Sequence, residues 1–378
     1  MKTLTIISHT EHYKNADDGI VGLGSTVTEI NNLLTIFDAI IHVGMFHNSP
    51  APASALPYAS NKITFIPLPA VGGPKVLDKL AIIWKAPSIL MTIHKAINQT
   101  DYFQFRAPTG IGVFVIPYLM VWRSKKGWFK YAGNWKQQNA PLAYSLQRWL
   151  LTKQKRYVTI NGKWENQPKS CITFENPCLT INEVQEGLRF TAKISFNNTE
   201  INFCFVGRLE EEKGIGLLIN AFNNLTKDEK LKIGTIHIVG HGLKMSEYKA
   251  KASKTGLNFN FHGFLSRTDV HEIYKVSHAI VLPSASEGFP KVIAEAMNYG
   301  CLPIVSDISS LRHYIKNEQN GFLFYPITEN EIVKLIRKLL SLNNFQYSNM
   351  IQVQQKELSK FTYTYYNHRI LKEIANSY

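Results

Sequence analysis

Short apolar runs alternate with amphipathic segments along the whole 378-residue chain. Uninterrupted apolar runs that end in Gly, Asp, Asn or Arg are typical of strands buried on both faces of a parallel sheet. In chain order they read TLTIIS, AIIHVG, ITFIPL, YFQFRAP, YVTING, CITFENP, INFCFVGR, IHIVGHG, FNFHGF, HAIVLPS and LPIVSD. Their alternation with segments of helical period predicts an α/β protein with two doubly wound parallel sheets.

The chain is long for one hydrophobic core, so two domains are expected. A more polar segment, Leu179 to Glu200, is rich in Asn and Thr and favours a boundary near residue 195. The sequence thus predicts a Rossmann-like domain over 1–195, a second over 196–355, and a C-terminal helix over 356–378 that packs back on the first. Ligands of open parallel sheets bind beyond the carboxyl ends of the strands, so chemistry is expected in a cleft where the two domains face each other.

Composition narrows the class of protein. A formal net charge of +14 predicts anionic partners, namely nucleic acid, an anionic membrane or phosphorylated small molecules. The four cysteines form no C-x-x-C pair, which argues against zinc and disulfides and favours a reducing, cytoplasmic location. The most apolar stretch, Gly110 to Trp122, contains Pro117 and is shorter than the roughly 20 residues of a membrane-spanning helix.

The segment SEGFPKVIAEAMNYG holds two carboxylates in an apolar frame. Pro290 suits the first turn of a helix, which places Glu287 in the loop before that helix and Glu295 on its buried face. Backbone N–H groups of Gly288 and Phe289 lie where a helix N-terminus binds anions, and a buried carboxylate can accept ligand hydroxyls. The segment therefore predicts a site for a phosphate and a polyol; the alternative is a capping and a structural glutamate.

A second basic loop follows a predicted strand in FVGRLEEEKGIGLL. Gly207 ends the strand, and Arg208 and Lys213 flank the loop so that both can converge on one diphosphate. Alone, such a pair is more often a solvated surface charge cluster. Later strands end in Gly240, which an ordinary tight turn also explains, and in Gly263 and Phe264, whose backbone can cover a nucleobase.

The first half also contains candidate ligand-binding residues. Gly22 and Gly24 precede Ser25, a good helix N-cap, so a second helix N-terminus can face the diphosphate; a plain glycine turn is the alternative. Arg106 ends one strand, and Lys130 and Asn134 lie at the end of another, which makes them candidates for acceptor binding.

The run VWRSKKGWFKYAGNWK, Val121 to Lys136, interleaves basic and aromatic residues. Such a run is typical of contact with anionic headgroups or a lipid diphosphate. The alternative is a set of core aromatics with solvated lysines between them.

Taken in order, the segments from Phe205 to Asp307 resemble retaining glycosyltransferase family 4, whose members have the two-domain GT-B fold and an E-x7-E motif like Glu287 to Glu295. The resemblance implies that Arg208 and Lys213 hold the diphosphate of a nucleotide sugar. It also implies that Glu295 accepts the ribose hydroxyls, and that Glu287 contacts the donor sugar beside the Gly288–Phe289 backbone. The two glutamates then have separate tasks and are not the acid and base of a hydrolase.

The resemblance implies sugar transfer to a glycan or lipid-linked acceptor in cell-surface polysaccharide synthesis, at the cytoplasmic face of the membrane. No metal is expected, because the second half lacks a D-x-D motif and Asp17–Asp18 form no evident cage. Many family members carry a His-Asp pair where this chain has Gly133–Asn134, so that role is not assigned. Two alternatives remain: a nucleotide-sugar epimerase of the same fold, and a basic nucleic-acid-binding protein.

Overall fold

The computed structural model describes residues 2–71, 76–122, 124–197 and 199–377. The chain forms two units, of which the first comprises residues 1–175 and 363–378 and the second residues 176–362. Each unit is an α/β layer structure of its own. No helix within the described ranges is both long enough and apolar enough to cross a bilayer.

One mostly parallel sheet forms the first unit. Its strands in the described residues are β1 (Thr3–Lys14), β2 (Ile20–Leu23), β3 (Ala39–Phe46), β4 (Ala55–Pro57), β5 (Ile63–Pro69), β6 (Tyr102–Ala107), β7 (Lys126–Tyr131), β8 (Val158–Ile160) and β9 (Cys171–Thr173). The parallel strands run in the order β5-β3-β1-β6-β7-β8-β9. The short strands β2 and β4 extend the sheet antiparallel from the end of β1.

Helices cover both faces of this sheet. They are α1 (Gly24–Leu33), α2 (Val76–Asn98), α3 (Gly112–Val121), α4 (Leu142–Lys153) and the C-terminal helix (Tyr363–Arg369), which continues as a π-helical turn (Ile370–Ile374) and a 3-10 turn (Ala375–Ser377). One core cluster, which includes Val115 and Leu151, joins α2, α3 and α4 to one face of the sheet. Another, which includes Ile30 and Ile370, joins α1 and the C-terminal segment to the opposite face.

The second unit is a fully parallel sheet in the order β12-β11-β10-β13-β14-β15. Its strands in the described residues are β10 (Ile201–Val206), β11 (Ile233–Val239), β12 (Asn258–Gly263), β13 (Ala279–Leu282), β14 (Leu302–Ser306) and β15 (Phe322–Phe324). Its helices are α5 (Ile181–Thr191), α6 (Ile215–Asn223), α7 (Lys227–Lys230), α8 (Met245–Ala252), α9 (Arg267–Val276), α10 (Lys291–Asn298), α11 (Leu311–Tyr314), α12 (Glu329–Leu340) and α13 (Asn344–Gln355), with 3-10 turns at Glu211–Lys213, Ser253–Thr255 and Leu358–Phe361.

The predicted doubly wound architecture is confirmed, and each apolar run quoted above contains a strand. The sequence did not reveal β2, β4 and β15. These strands have only three or four residues, and unlike the equally short β8 and β9 they lie in none of the apolar runs quoted above.

The structure places the division of the chain between Glu175 and Asn176 rather than at residue 195. The segment expected to be a linker contains α5, which begins with a capping box between Thr180 and Glu183 and packs on the core of the second unit. Residues 356–362 also stay with the second unit, and residues 363–378 return to the first.

A buried chain of hydrogen bonds connects two strands of the first unit. Ser8 Oγ lies 2.7 Å from His42 Nε2, and Tyr58 Oη lies 2.5 Å from His42 Nδ1 and 2.8 Å from His12 Nε2. His12 Nδ1 is 2.9 Å from the carbonyl of Thr10 and must donate to it, because a carbonyl only accepts. Neutral groups can then satisfy every contact when Ser8 donates to His42, His42 to Tyr58, and Tyr58 to His12.

This chain of neutral groups makes stability depend on pH. Burial lowers the pKa of His12 to about 4 and the pKa of His42 well below its ordinary value. Between about pH 6.5 and pH 4 the unfolded chain binds more protons than the folded one, so stability falls as pH is lowered through this range. We expect His12 to account for about 2 kcal/mol of the loss between pH 7 and pH 5. Urea titrations of wild type and His12→Gln should show a flatter pH dependence for the variant.

The exposed His241 supplies the control for this prediction. His241→Gln should leave the pH dependence of the unfolding free energy as it is in wild type. Equal slopes for His12→Gln and wild type would contradict the assignment of a neutral, buried His12.

Candidate active site

Three glycines bring the carboxyl ends of β10, β11 and β12 together. The Gly207 N–H donates to the Val239 carbonyl at 3.0 Å, and the Gly240 N–H donates to the Gly263 carbonyl at 2.7 Å. A Cβ atom on Gly240 would lie 1.8 Å from the Gly207 carbonyl oxygen, and Gly240 has φ +130°, so no other residue fits there. The predicted loop residues Gly207, Gly240 and Gly263 thus form one continuous backbone surface at this edge of the sheet.

The basic loop after β10 carries Arg208 and Lys213. The Arg208 side chain is 69% exposed, with a nitrogen 3.0 Å from a carboxylate oxygen of Glu210. Lys213 ends the 3-10 turn, and Gly214, with φ +75°, then packs so closely on Pro283 that a Cβ would lie 2.3 Å from its carbonyl oxygen. This contact directs the loop toward the segment that follows β13.

That segment receives Lys213 directly. The Lys213 ammonium lies 2.5 Å from Oε1 of Glu287, and both side chains are largely buried. The backbone supports the same approach, because the Ala285 N–H donates to the Glu212 carbonyl at 2.8 Å. The structure therefore joins the basic loop to the first glutamate of the predicted motif.

The peptide N–H groups of Glu287, Gly288 and Phe289 donate to no partner among the described residues. The hydroxyls of Ser309 and Ser310 hold the Gly288 carbonyl at 3.2 and 2.7 Å. Three neighbouring donors just before α10 are thus fixed and free for an anion. Such an arrangement is suited to phosphate oxygens.

Phe289 anchors this loop with its side chain. Its ring is buried and stacks on Phe361 at 4.8 Å, with Tyr314 edge-on at the same distance. Only the backbone of Phe289 is therefore available to a ligand. The sequence placed Pro290 in the first turn of this helix. In the structure Pro290 is the N-cap residue of α10, and the helix begins one residue later, at Lys291.

Glu295 lies on the buried face of α10 and is 8% exposed. Its Oε1 accepts a hydrogen bond from Arg267 at 2.6 Å, whereas Glu287 is paired with Lys213. Each glutamate of the motif therefore has its own cation. This difference agrees with separate tasks for the two carboxylates.

Sequence reasoning missed Arg267. This residue opens α9, where the Ser266 hydroxyl accepts from the Asp269 N–H at 3.2 Å. A cation in the first turn opposes the helix dipole, and that conflict was the signal that Arg267 has acidic partners elsewhere.

Those partners come from two other helices. Arg267 makes a two-pronged contact with Glu183 of α5, at 3.0 and 3.1 Å, besides its contact with Glu295, and it also donates to the Cys178 carbonyl. Burial raises the pKa of Glu183, but hydrogen bonds from Arg267 and its charge outweigh burial and hold that pKa below its ordinary value. Arg267 is thus shared between two carboxylates and fixes the orientation of Glu295.

Phe264 follows Gly263 at the same edge of the sheet. Its half-exposed ring stacks on His241 at 5.6 Å between centroids. His262 turns away to contact His237 at 3.0 Å. The backbone of Gly263 has open space beside it, since a Cβ there would meet nothing within 4 Å.

In the first unit, Gly22 and Gly24 do not precede a Ser-capped helix. Gly22 is paired with His12 in the β1–β2 hairpin, and α1 begins at Gly24, whose N–H donates to the Ser54 carbonyl at 3.1 Å. The expectation that Ser25 is the N-cap is therefore wrong, because the hairpin brings the chain into helical conformation earlier and Leu23 takes that position.

Arg106 and Lys130 meet on a carboxylate that the sequence did not single out. Both contact Oε1 of Glu29 on α1, at 3.0 and 2.5 Å, and all three side chains are nearly buried. Asn134 lies in a different place, where its carbonyl accepts from Arg148 at 3.3 Å. Acceptor binding by these residues stays a prediction.

The basic and aromatic run from Val121 to Lys136 does not form a surface patch. Trp128, Phe129 and Lys130 lie in β7, between β6 and β8, and they are buried, as is Trp135. A strand in the interior of the sheet buries both faces, so the alternative of core aromatics applies here. Arg123 lies outside the described residues.

Within the described part of the chain, no three His, Cys, Asp or Glu side chains gather as metal ligands do. The four cysteines are buried and unpaired.

Comparison with solved structures defines the class of fold. The complex of Anabaena Alr3699/HepE with UDP and glucose aligns over 99% of each chain with a TM-score of 0.69 and 15% identity. This chain thus has the fold of the GT-B glycosyltransferases.

Sequence comparison then narrows the family. Residues 189–357 match the sequence profile of the family described as Glycosyl transferases group 1. An uncharacterized glycosyltransferase of Methanocaldococcus jannaschii is 28% identical over 51% of this chain and 48% of its own length. The UDP-Gal:alpha-D-GlcNAc-diphosphoundecaprenol alpha-1,3-galactosyltransferase of Escherichia coli is 32% identical over 39% of this chain and 38% of its own length. The chain thus spans less than half the length of these relatives, and the matches support a glycosyltransferase family for the second unit.

Proposed function

We propose that this protein transfers a sugar, with retention of configuration, from a nucleoside-diphosphate sugar to a glycan or lipid-linked acceptor. One observation carries the proposal. Lys213, the carboxylate of Glu287 and three unpartnered N–H groups occupy one loop surface at the carboxyl edge of a parallel sheet. That combination provides both an anion site and a hydroxyl acceptor.

In this proposal the diphosphate binds to Lys213, Arg208 and the N–H groups of Glu287, Gly288 and Phe289. The incoming phosphate competes with Glu287 for the Lys213 ammonium, and Glu287 then accepts a hydroxyl of the donor sugar. Arg208 is exposed, and among the described residues its one ion pair is with the neighbouring surface carboxylate of Glu210, so it is available for the same phosphate.

Glu295 binds the ribose in the same proposal. Oε1 is occupied by Arg267, and Oε2 forms no hydrogen bond within the described residues. A carboxylate held on one oxygen presents the other in a fixed direction, which suits a pair of vicinal hydroxyls. The base then lies toward the Gly263–Phe264 backbone.

Catalysis follows from charge. As the anomeric carbon forms a bond to the acceptor oxygen, its bond to the diphosphate oxygen breaks, and the acceptor proton leaves with the diphosphate or solvent. Lys213, Arg208 and the loop N–H groups stabilise the negative charge on the leaving group. Because these cations neutralise the diphosphate, we propose that the reaction proceeds without a metal ion.

One relative and the charge of the chain support a proposal for the acceptor and the location. The Escherichia coli relative is named for a diphosphoundecaprenol-linked acceptor, and this chain has a net charge of +14. We therefore propose a role in cell-surface polysaccharide synthesis at the cytoplasmic face of the membrane, with peripheral contact to anionic lipid and without nucleic acid as a partner.

A thermal stabilisation screen with UDP-, GDP- and ADP-sugars tests the function. A ligand that binds only the folded protein at about 100 times its dissociation constant stabilises it by about 2.7 kcal/mol. We expect one nucleotide class to raise the melting temperature and the Lys213→Ala variant to lose most of that rise. The stabilising donor should then yield a glycosylated product only when an acceptor is present. Stabilisation by no nucleotide sugar, or an epimerised sugar formed without an acceptor, would contradict the proposal.

A further inference from the structure

The helices α2, α3 and α4 form one layer on the first sheet. His94 of α2 contacts Tyr118 of α3 at 2.6 Å and stacks on Trp122, and Gln147 of α4 packs against Gly112 of α3. The three helices are therefore neighbours with a common outer face.

That outer face is unusually apolar. On α4, Leu142, Leu146 and Trp149 follow one another at helical spacing on the side opposite the buried Leu151, and Leu142 is 90% exposed. A stripe of this kind normally packs inside a protein. Here it faces solvent.

The neighbouring helices α2 and α3 also expose apolar side chains. On α2, Ile83, Trp84 and Met91 are exposed, with Trp84 at 86%, and on α3 so is Val121. No charged residue occurs in α3. Exposed large apolar side chains that cluster in this way mark an interaction surface, whereas isolated ones do not.

The charge around this face has one sign. Residues 79–164 contain 14 Lys and Arg and a single acidic residue, Asp101. Two of the 14, Arg106 and Lys130, are buried against Glu29 and do not contribute to this face. Lys85, Lys95, Lys153 and Lys155 are exposed and form no ion pair within the described residues. Apolar side chains surrounded by unpaired lysines are complementary to the headgroup region of an anionic bilayer.

We propose that the outer face of α2, α3 and α4 is the surface by which this protein rests on an anionic membrane. Tryptophan and leucine enter the interface while the lysine side chains reach the lipid phosphates. Nucleic acid would account for the lysines but not for the apolar stripe. Membrane binding by this surface does not depend on sugar transfer. The outer face of α2, α3 and α4, rather than the run from Val121 to Lys136, is the proposed contact surface.

Vesicle co-sedimentation tests this surface. Wild type should bind vesicles of phosphatidylcholine with about one third phosphatidylglycerol much more strongly than pure phosphatidylcholine vesicles, and less strongly in 0.5 M NaCl as lysine–phosphate contacts are screened. A variant with three substitutions on α4, called the helix-layer triple, should bind anionic vesicles at least about ten-fold more weakly than wild type. Its substitutions are Leu142→Ser, Leu146→Ser and Trp149→Ser.

A matched control removes exposed apolar side chains from the second unit. Its substitutions are Leu231→Ser, Leu243→Ser and Phe345→Ser, all at exposed positions, and it should bind like wild type. Melting temperatures equal to that of wild type show that both triples fold. If nucleotide sugar stabilises both triples as it does wild type, the loss of vesicle binding does not come from damage to the donor site.

Four results would overturn the proposal. This membrane surface is excluded if wild type does not bind anionic vesicles. It is also excluded if the helix-layer triple binds them as well as the control triple does. Light scattering that shows a dimer which the helix-layer triple dissociates assigns the face to a second copy of the chain. Duplex DNA is the fourth case. If DNA displaces wild type from vesicles, and if the helix-layer triple has lost affinity for DNA as well as for vesicles, the face is assigned to nucleic acid.

Discussion

Replacing Arg267 with alanine is expected to weaken both folding and donor binding. The substitution leaves Glu183 and Glu295 close together without their shared cation, and both are largely buried. Removing one partner from a buried ion pair costs about 3–5 kcal/mol, and because Arg267 is one-third exposed we expect about 2–3 kcal/mol. Urea titration measures this loss.

The same variant should also raise the donor KM by about ten-fold or more while kcat changes little. Glu295 loses the contact that fixes its orientation, so ribose binding suffers and the reacting carbon is unaffected. Arg267→Lys keeps the charge but not the planar fork, and it should lie between wild type and the alanine variant.

Arg312 provides the matched control. Its guanidinium makes a two-pronged contact with Asp307 at 2.9 and 2.8 Å, but it is more than half exposed. Arg312→Ala should therefore change the unfolding free energy by less than about 1 kcal/mol and leave the donor KM unchanged. The role assigned to Arg267 is wrong if Arg267→Ala behaves like Arg312→Ala in both measurements.

Replacing Lys213 with alanine is expected to lower kcat by about 100-fold or more. Lys213 contacts Glu287, whose N–H is one of the loop donors. The loss of one such stabilising group typically costs a factor of 10² to 10³ when charge develops in the transition state. Glu287→Gln should also lose activity, because the amide no longer accepts as strongly from a sugar hydroxyl. Steady-state kinetics with the donor identified by thermal stabilisation measures both effects.

Lys244 is a suitable control for Lys213. It contacts Glu211 of the same basic loop at 3.0 Å but is half exposed. Lys244→Ala should keep kcat within about three-fold of wild type, as surface ion pairs contribute little. Similar kinetics for the two lysine variants would remove Lys213 from the catalytic site.

Local features of the sequence predicted the fold and the loops. Continuous apolar runs mark strands buried on both faces, and a glycine at the end of such a run marks a close approach of backbones, as the contact between Gly240 and Gly207 shows. The pairing of Lys213 with Glu287 was also within reach, because adjacent parallel strands end at the same edge of a sheet.

Pairing across long sequence separations was beyond such reasoning. Arg106 and Lys130 both contact Glu29, which lies on a helix distant from them in the sequence. The partners of Arg267 likewise lie on α5 and α10. A single sequence shows which side chains carry charge but not which distant ones meet, because tertiary packing decides that.

Tryptophan residues show the same limit in another way. Trp128 and Trp149 both stand near basic residues in the sequence, yet Trp128 is buried in the interior of the sheet and Trp149 is exposed on α4. The difference arises from the neighbours of β7, which are supplied by strands elsewhere in the chain.

Titration calorimetry of a nucleoside diphosphate against its parent nucleoside tests the central claim most directly. If Arg208, Lys213 and the loop N–H groups hold a diphosphate, wild type should bind the diphosphate at least about 100-fold more tightly than the nucleoside, a difference of about 2.7 kcal/mol. Most of that difference should vanish in the Arg208→Ala/Lys213→Ala double variant. Equal affinities for diphosphate and nucleoside in wild type, or an undiminished preference in the double variant, would contradict the account.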